Sequence, residues 1–136
     1  MNYTVYDPTT GEILYATTDV PAGASYVAGN WSSLQYYIAD GQLVNKPKDP
    51  SNSYTKYQFD YATKTWQLDS TLSEFYARQT RNQMLSQVDR VNPIWYASLS
   101  AEQQSQLQQY RQDLLSVPEQ SGFPETIAWP TAPTWL

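Results

Sequence analysis

The sequence predicts an α+β fold: an N-terminal antiparallel meander of β-hairpins, then an αα-hairpin and an extended Pro-rich C-terminal tail. Three observations support this prediction. Turn-forming residues divide the first 69 residues into short β-rich stretches, capping signals and helical periodicity follow, and four prolines fall in the last nineteen residues. We therefore expect a β-rich subdomain at 1–69, a helical hairpin at 70–117 and an extended Pro/Trp tail at 118–136.

Three hairpins are expected in the β-rich part, each with two short stretches of β-forming residues around a turn. The turns contain Asp7 with Gly11, Asp40 with Gly41, and Asp60. Aspartate accepts a hydrogen bond from a nearby backbone N–H, and glycine adopts positive φ without steric cost. The first and third turns share the same Asp-led pattern, which indicates the same turn chemistry rather than a duplication. The expected strand pairs are 3–6 with 13–17, 35–38 with 42–44, and 57–60 with 65–68.

Two capping boxes predict the helix starts. Thr71 with Glu74 precedes a run of apolar residues at helical spacing, and Ser100 with Gln103 precedes a second one. The first helix must end before Pro93, so residues 92–97 are expected to form an aromatic linker. Two helices joined by a short linker predict an αα-hairpin.

Composition excludes several classes of function. The chain has no cysteine and no histidine, which removes thiolate nucleophiles, the Ser-His-Asp arrangement and the usual transition-metal ligands. Thirteen acidic and eight basic residues give a net charge of −5. A negative charge opposes binding to the phosphate backbone, so no nucleic-acid partner is expected. Asp7, Asp40 and Asp60 are explained by turns, so we expect no enzyme, no metal and no cofactor. No apolar run is long enough to cross a membrane, and the first residues contain no secretory signal.

Aromatic residues are abundant, with twelve Tyr and five Trp in 136 residues. Both types combine a large apolar body with a polar tip, which suits protein interfaces. The tail would expose large aromatic side chains unless it packs on the chain's own helices or on a partner, and the sequence leaves both possibilities open. The candidate partner-binding residues are Tyr36, Tyr37, Trp66, Phe123, Trp129, Pro130, Pro133 and Trp135.

An ordered set of short motifs covers residues 81–133. It includes Arg81-Asn82, Tyr110-Arg111 and Trp129-Pro130-x-x-Pro133. In this order and spacing the chain resembles bacteriophage tail assembly chaperones and the related tail fibre assembly proteins. The resemblance implies a non-enzymatic accessory protein that assists tail-fibre assembly, and we expect it to stay bound to the fibre in the virion. It also implies a tail fibre protein, expected to be trimeric, as the partner, and the host cytoplasm as the place of assembly.

A glycan- or receptor-binding module at the fibre tip is the alternative interpretation. Tyrosine and tryptophan faces stack on sugars, and Trp31, Tyr36, Tyr37 and Trp66 are the first candidates. The same residues equally suit a small aromatic core between the hairpins, where burial stabilises each by about 1.5–3 kcal/mol.

Overall fold

A computed structural model describes all residues from 1 to 136 and confirms the α+β class. Seven strands form small antiparallel sheets, and three helices follow them. The strands are β1 Tyr3–Tyr6, β2 Ile13–Thr17, β3 Ser25–Ala28, β4 Tyr36–Ala39, β5 Gln42–Asn45, β6 Tyr57–Asp60 and β7 Thr65–Leu68. The helices are α1 Ser70–Asp89, α2 Pro93–Ser98 and α3 Ala101–Leu115, and a 3-10 turn spans Val117–Glu119.

The first sheet has three strands in the order β2-β1-β3, although the sequence predicted only two of them. β3 pairs antiparallel with β1, with Val27 opposite Thr4. The Thr4 hydroxyl, which is fully buried, donates to the Gly29 carbonyl at 2.8 Å and accepts from the Trp31 N–H at 3.0 Å. These contacts span more than twenty residues of sequence, so local turn chemistry does not reveal β3.

The predicted second hairpin is present. β4 pairs with β5, with Tyr37 opposite Val44, and Asp40 and Gly41 have φ angles of 52° and 73°. Two consecutive positive φ values are typical of the type I′ turn expected for Asp-Gly. β6 and β7 form the predicted third hairpin.

The first and third turns use the same chemistry, as predicted. Asp7 Oδ1 accepts the Thr9 N–H at 2.8 Å, and Asp60 Oδ1 accepts the Ala62 N–H at 2.8 Å. Each turn closes four residues after its aspartate, at Gly11 (φ 81°) and at Lys64 (φ 59°). Their roles in these turns explain both aspartates without a catalytic function.

α1 begins two residues earlier than the predicted capping box requires. Asp69 is the N-cap and accepts the Leu72 N–H at 3.0 Å, so the expected cap at Thr71 is wrong. Aspartate is among the best N-cap residues, and its position before Ser70 starts the helix there. The apolar residues of the first turns are not core residues, because Leu72 and Phe75 are 41% and 58% exposed.

Residues 92–97 are not a linker, and this part of the prediction is wrong. Asn92 Oδ1 accepts the N–H groups of Ile94 and Trp95, which caps α2. Pro93 occupies the first helical position, where its missing N–H costs nothing. The expected αα-hairpin therefore contains a third, short helix between its two long ones.

α3 begins at the predicted capping box. Ser100 Oγ accepts the Gln103 N–H, and the Gln103 side chain accepts the Ser100 N–H in return. The apolar stripe predicted for this helix is buried against α1. The resulting core consists of Leu85, Val88, Leu107, Tyr110 and Leu114.

The chain divides into two compact units. Unit 1 contains residues 1–50 and 58–67, and unit 2 contains residues 51–57 and 68–136. Within unit 2, the buried Ser73 of α1 holds the segment 51–57. Its hydroxyl donates to the Lys56 carbonyl at 3.0 Å and accepts the Lys56 N–H at 2.7 Å.

Candidate interaction surfaces

Two of the predicted binding residues of unit 1, Tyr37 and Trp66, lie in an aromatic cluster. Both pack against Phe59, with ring centroids 5.5 and 5.3 Å apart. The Lys46 ammonium lies over the rings of Phe59, Tyr61 and Trp66 at 4.7, 5.0 and 5.7 Å. We call these four rings and Lys46 the lysine-capped cluster. A cation over an aromatic face closes that face to other ligands, and the contact stabilises the hairpins.

Hydrogen bonds fix Lys46 in this position. Its Nζ donates to the Ser33 carbonyl at 2.6 Å and to the Tyr61 hydroxyl at 3.0 Å. The Trp66 indole donates to the Pro47 carbonyl at 2.8 Å, so the polar tip of this side chain is also occupied.

Tyr36 lies outside the lysine-capped cluster. It makes an edge-to-face contact with Trp31 at 5.4 Å. The Trp31 indole donates to the Ala28 carbonyl, the last carbonyl of β3, at 2.7 Å. A tryptophan therefore occupies the end of this edge strand, which reduces its capacity to pair with a further strand.

The tail, residues 118–136, packs on unit 2 rather than projecting into solvent. The Arg78 guanidinium lies over the Phe123 ring at 5.6 Å while it forms an ion pair with Glu74 at 2.9 Å. Both charged groups are nearly half exposed, so the ion pair itself contributes little stability. It orients the guanidinium that covers the phenylalanine.

Gln120 fixes the middle of the tail. Its side chain accepts the Ala128 N–H at 2.9 Å and donates to the Ala128 carbonyl at 2.8 Å. The side-chain amide thus pairs with the backbone as a neighbouring strand would. This pairing places the adjacent Trp129 edge-to-face against Tyr54 at 5.2 Å, with Pro130 half-buried beside it. The Trp129 indole N–H is buried and has no hydrogen-bond partner in the protein.

The end of the tail lies on α2 and α3. The Trp135 indole donates to Gln106 Oε1 at 2.7 Å, and its ring lies 6.2 Å from that of Trp95. Trp135 also packs against the helical core. Pro133 is half-buried next to it. We call the surface formed by Trp95 and Gln106 the Trp135 site.

One titratable group at the base of the tail is perturbed. The Tyr57 hydroxyl donates to the Glu125 carboxylate at 3.3 Å. Desolvation, followed by the negative charge and the hydrogen bond of Glu125, raises the pKa of Tyr57 above its ordinary value. Tyr57 therefore stays protonated, and able to donate this hydrogen bond, at neutral pH.

Sequence reasoning missed four residues that position the tail, namely Tyr54, Trp95, Gln106 and Gln120. Trp95 had an available signal, because Asn-Pro at a helix start would have placed it on α2. The two glutamines had none, since they resemble the many other glutamines of this region.

Unit 2 also exposes apolar side chains on α2 and at the end of the tail. Ile94 is 83% exposed, Trp95 39% and Leu136 46%. Neither α1 nor either of the other helices combines the length and hydrophobicity needed to cross a bilayer. No three acidic side chains come together in a group that would hold a metal ion.

Comparison with known families identifies one match. Residues 75–134 match the model of the phage tail assembly chaperone protein family. The resemblance to phage tail assembly chaperones is confirmed. The match covers somewhat less than half of the chain, and it runs from α1 through the tail that carries Phe123, Trp129 and Pro133. No curated protein and no solved structure matches the chain.

Proposed function

We propose that this chain is a non-enzymatic accessory protein of phage tail-fibre assembly that binds the fibre protein and stays bound in the virion. The observation that carries the proposal is the match to phage tail assembly chaperones over residues 75–134. The fibre is expected to be a trimer. Assembly places this chain first in the host cytoplasm and then on the particle.

Fibre folding creates a need for such a protein. Long β-rich trimers fold slowly through non-local contacts and expose unpaired strand edges and apolar surface while they do so. An accessory protein with an accessible aromatic surface covers these regions until the three chains are in register.

Unit 2 supplies the more accessible surface. Ile94 and Trp95 of α2 remain exposed, and the Trp95 ring faces that of Trp135 in the tail. In the tail itself, Phe123, Trp129 and Pro130 are only half-buried. We propose these residues as direct fibre contacts, with Pro133 and Trp135 contributing through the surface that they cover. Aromatic anchors of this kind dominate the energetics of many protein interfaces.

Unit 1 has less support as the fibre contact. Tyr37 and Trp66 are held within the lysine-capped cluster, and Trp31 occupies the end of the β3 edge. The glycan-binding alternative is weakened by the same contacts, because Lys46 covers a face of Trp66 that a sugar would need. We retain Tyr36 and Tyr37 as the unit 1 positions to test.

Binding to a C-terminal fragment of the fibre protein tests the proposal. We expect Trp129→Ala and Ile94→Glu each to weaken binding about tenfold or more, as for interface anchors that contribute about 2 kcal/mol. A paired Tyr36→Ser and Tyr37→Ser variant is expected to bind within threefold of the unchanged chain. Tyr15→Ser, on a strand that carries no proposed contact, serves as the matched control. Unchanged binding in all of these variants would exclude both surfaces.

Quantitative mass spectrometry of purified virions and infected-cell lysate tests retention. A fixed ratio of this chain to the fibre protein in virions is the expected result. Abundance in the lysate with absence from particles would instead show a chaperone that is released after assembly.

A further inference from the structure

We propose that the Trp135 site is a recognition site for a tryptophan-bearing segment of the tail protein, and that residues 131–136 occupy it in the free chain as a competing self-ligand. The identity of the partner rests on the proposed function, but the self-ligand does not. The site thereby becomes available only when the C-terminal segment leaves it.

The chemistry of the site is defined by its present occupant. Gln106 Oε1 accepts the indole N–H of Trp135 at 2.7 Å, and Trp95 faces the same ring at 6.2 Å. The site therefore combines a directed acceptor with an aromatic wall. Among the large side chains, only tryptophan and tyrosine can pack an aromatic ring against such a wall and donate a hydrogen bond at the same time.

The self-ligand is held by few contacts. The Trp135 indole makes the only hydrogen bond between residues 131–136 and the helices. The Leu136 N–H donates to the Pro133 carbonyl, which lies within the segment itself. Thr131, Ala132 and Thr134 are exposed. A segment fastened through one side chain opens at low free-energy cost.

An open groove of about 430 Å³ lies between the segment and α3. It is lined on the helix side by Gln106, Gln109, Tyr110 and Asp113. Solvent therefore reaches part of the space between the segment and α3, while Trp135 packs against the helical core.

Charge favours a heterologous partner over a second copy of this chain. Glu102 lies one turn before Gln106 on α3, and Asp113 lies two turns after it. A partner tryptophan flanked by lysine or arginine would complement these carboxylates, whereas residues 127–136 of a second copy contain no charged side chain. We therefore assign the site to a basic, tryptophan-bearing segment of the tail protein.

A peptide in trans tests the self-ligand without any fibre protein. The probe is a fluorescein-labelled synthetic peptide of residues 131–136, and fluorescence anisotropy measures its binding to the full chain and to the Trp135→Ala chain. A tethered segment acts at an effective concentration on the order of 1 mM. We therefore expect the Trp135→Ala chain to bind the peptide at least about tenfold more tightly than the unchanged chain.

Variants of the acceptor give the matched comparison. In the Trp135→Ala background, Gln106→Leu is expected to weaken peptide binding about tenfold. Gln112→Leu, at an exposed glutamine later on the same helix that does not line this groove, is expected to weaken it by less than twofold. Equal peptide binding by the unchanged and Trp135→Ala chains would overturn the proposal, as would no saturable binding to Trp135→Ala. If Trp135→Ala loses its helical circular dichroism, Trp135→Phe replaces it, since a smaller aromatic ring remains while the indole N–H that binds Gln106 is lost. Trp135→Phe is expected to bind the peptide more tightly than the unchanged chain, and equal binding would overturn the proposal in the same way.

A second peptide tests the partner chemistry. A version with lysines on both sides of its tryptophan is expected to bind Trp135→Ala about threefold or more tightly than a version with glutamates, and the reverse order would overturn the assignment. These outcomes are separate from the proposed function, because binding of the fibre fragment to the unchanged chain is measured independently.

Discussion

Gln120 offers a direct test of how the tail is held in place. Its side-chain amide makes two hydrogen bonds to the Ala128 backbone, one at 2.9 Å from the N–H and one at 2.8 Å to the carbonyl. A hydrogen bond of this kind contributes about 0.5–1.5 kcal/mol net. Gln120→Ala removes both, so we expect local opening around Ala128 to become easier by about 1–3 kcal/mol.

Gln120→Glu separates the two bonds. The carboxylate still accepts the Ala128 N–H, but its second oxygen now faces the Ala128 carbonyl, and two acceptors repel. We expect this variant to open the tail almost as readily as Gln120→Ala. Gln112→Ala is the matched control, because the Gln112 side chain only contacts Ser116 at 3.4 Å within its own helix end.

Native-state hydrogen exchange measures the effect at a single amide. Exchange of the Ala128 N–H should accelerate about fivefold or more in both Gln120 variants, since 1 kcal/mol corresponds to a factor of about five and 1.4 kcal/mol to a factor of ten. The core amides of α3 should keep their protection, because the change is local. An unchanged Ala128 exchange rate in Gln120→Ala would refute the reasoning.

Two further predictions concern unit 2. Ser73→Ala is expected to lower the free energy of unfolding, measured in urea, by about 1–3 kcal/mol, because the Lys56 N–H loses its acceptor inside the protein. The control Ser70→Ala, at an exposed serine, should change it by less than about 0.5 kcal/mol. Equal effects of the two substitutions would contradict the role of Ser73. For Tyr57, the pKa is raised in the folded state, so the folded chain holds its proton above pH 10 while the unfolded chain loses it, and stability falls as pH rises through that range. Glu125→Gln removes the neighbouring charge, so its free energy of unfolding should fall less steeply above about pH 10, and an identical slope for the two chains would contradict this origin of the shift.

The hairpins were predictable because their signals are local. Asp7 and Asp60 close their turns with hydrogen bonds to residues two positions away, and the Asp40-Gly41 pair supplies its own positive φ angles. β3 was not predictable in the same way. It exists because Thr4 binds Gly29 and Trp31 from across the sheet, and no pattern within residues 25–28 encodes that pairing.

The helical half shows where local signals compete. Asp69 caps α1 ahead of Thr71, and Pro93 begins α2 although a proline more commonly indicates a break. In both places a second, equally local cap, Asp69 or Asn92, determines where the helix begins. The two long helices, α1 and α3, were predicted, whereas the prediction of a linker between them was wrong, because α2 lies there.

The candidate interaction surface was only half predictable. Aromatic composition and proline spacing indicated that Trp129 and Trp135 need a surface to pack on, but they did not indicate which one. That choice depends on Gln106 and Gln120, whose importance comes from distant partners in the folded chain. A glutamine on a glutamine-rich helix has no local feature that marks it as a tryptophan ligand.

The most direct test of the central claim is co-expression of the tail fibre protein's C-terminal region with and without this chain. We expect the fraction recovered as soluble trimer to rise severalfold when the chain is present, and Trp129→Ala together with Ile94→Glu to remove most of this gain. The same trimer yield with and without the chain would contradict an assembly role.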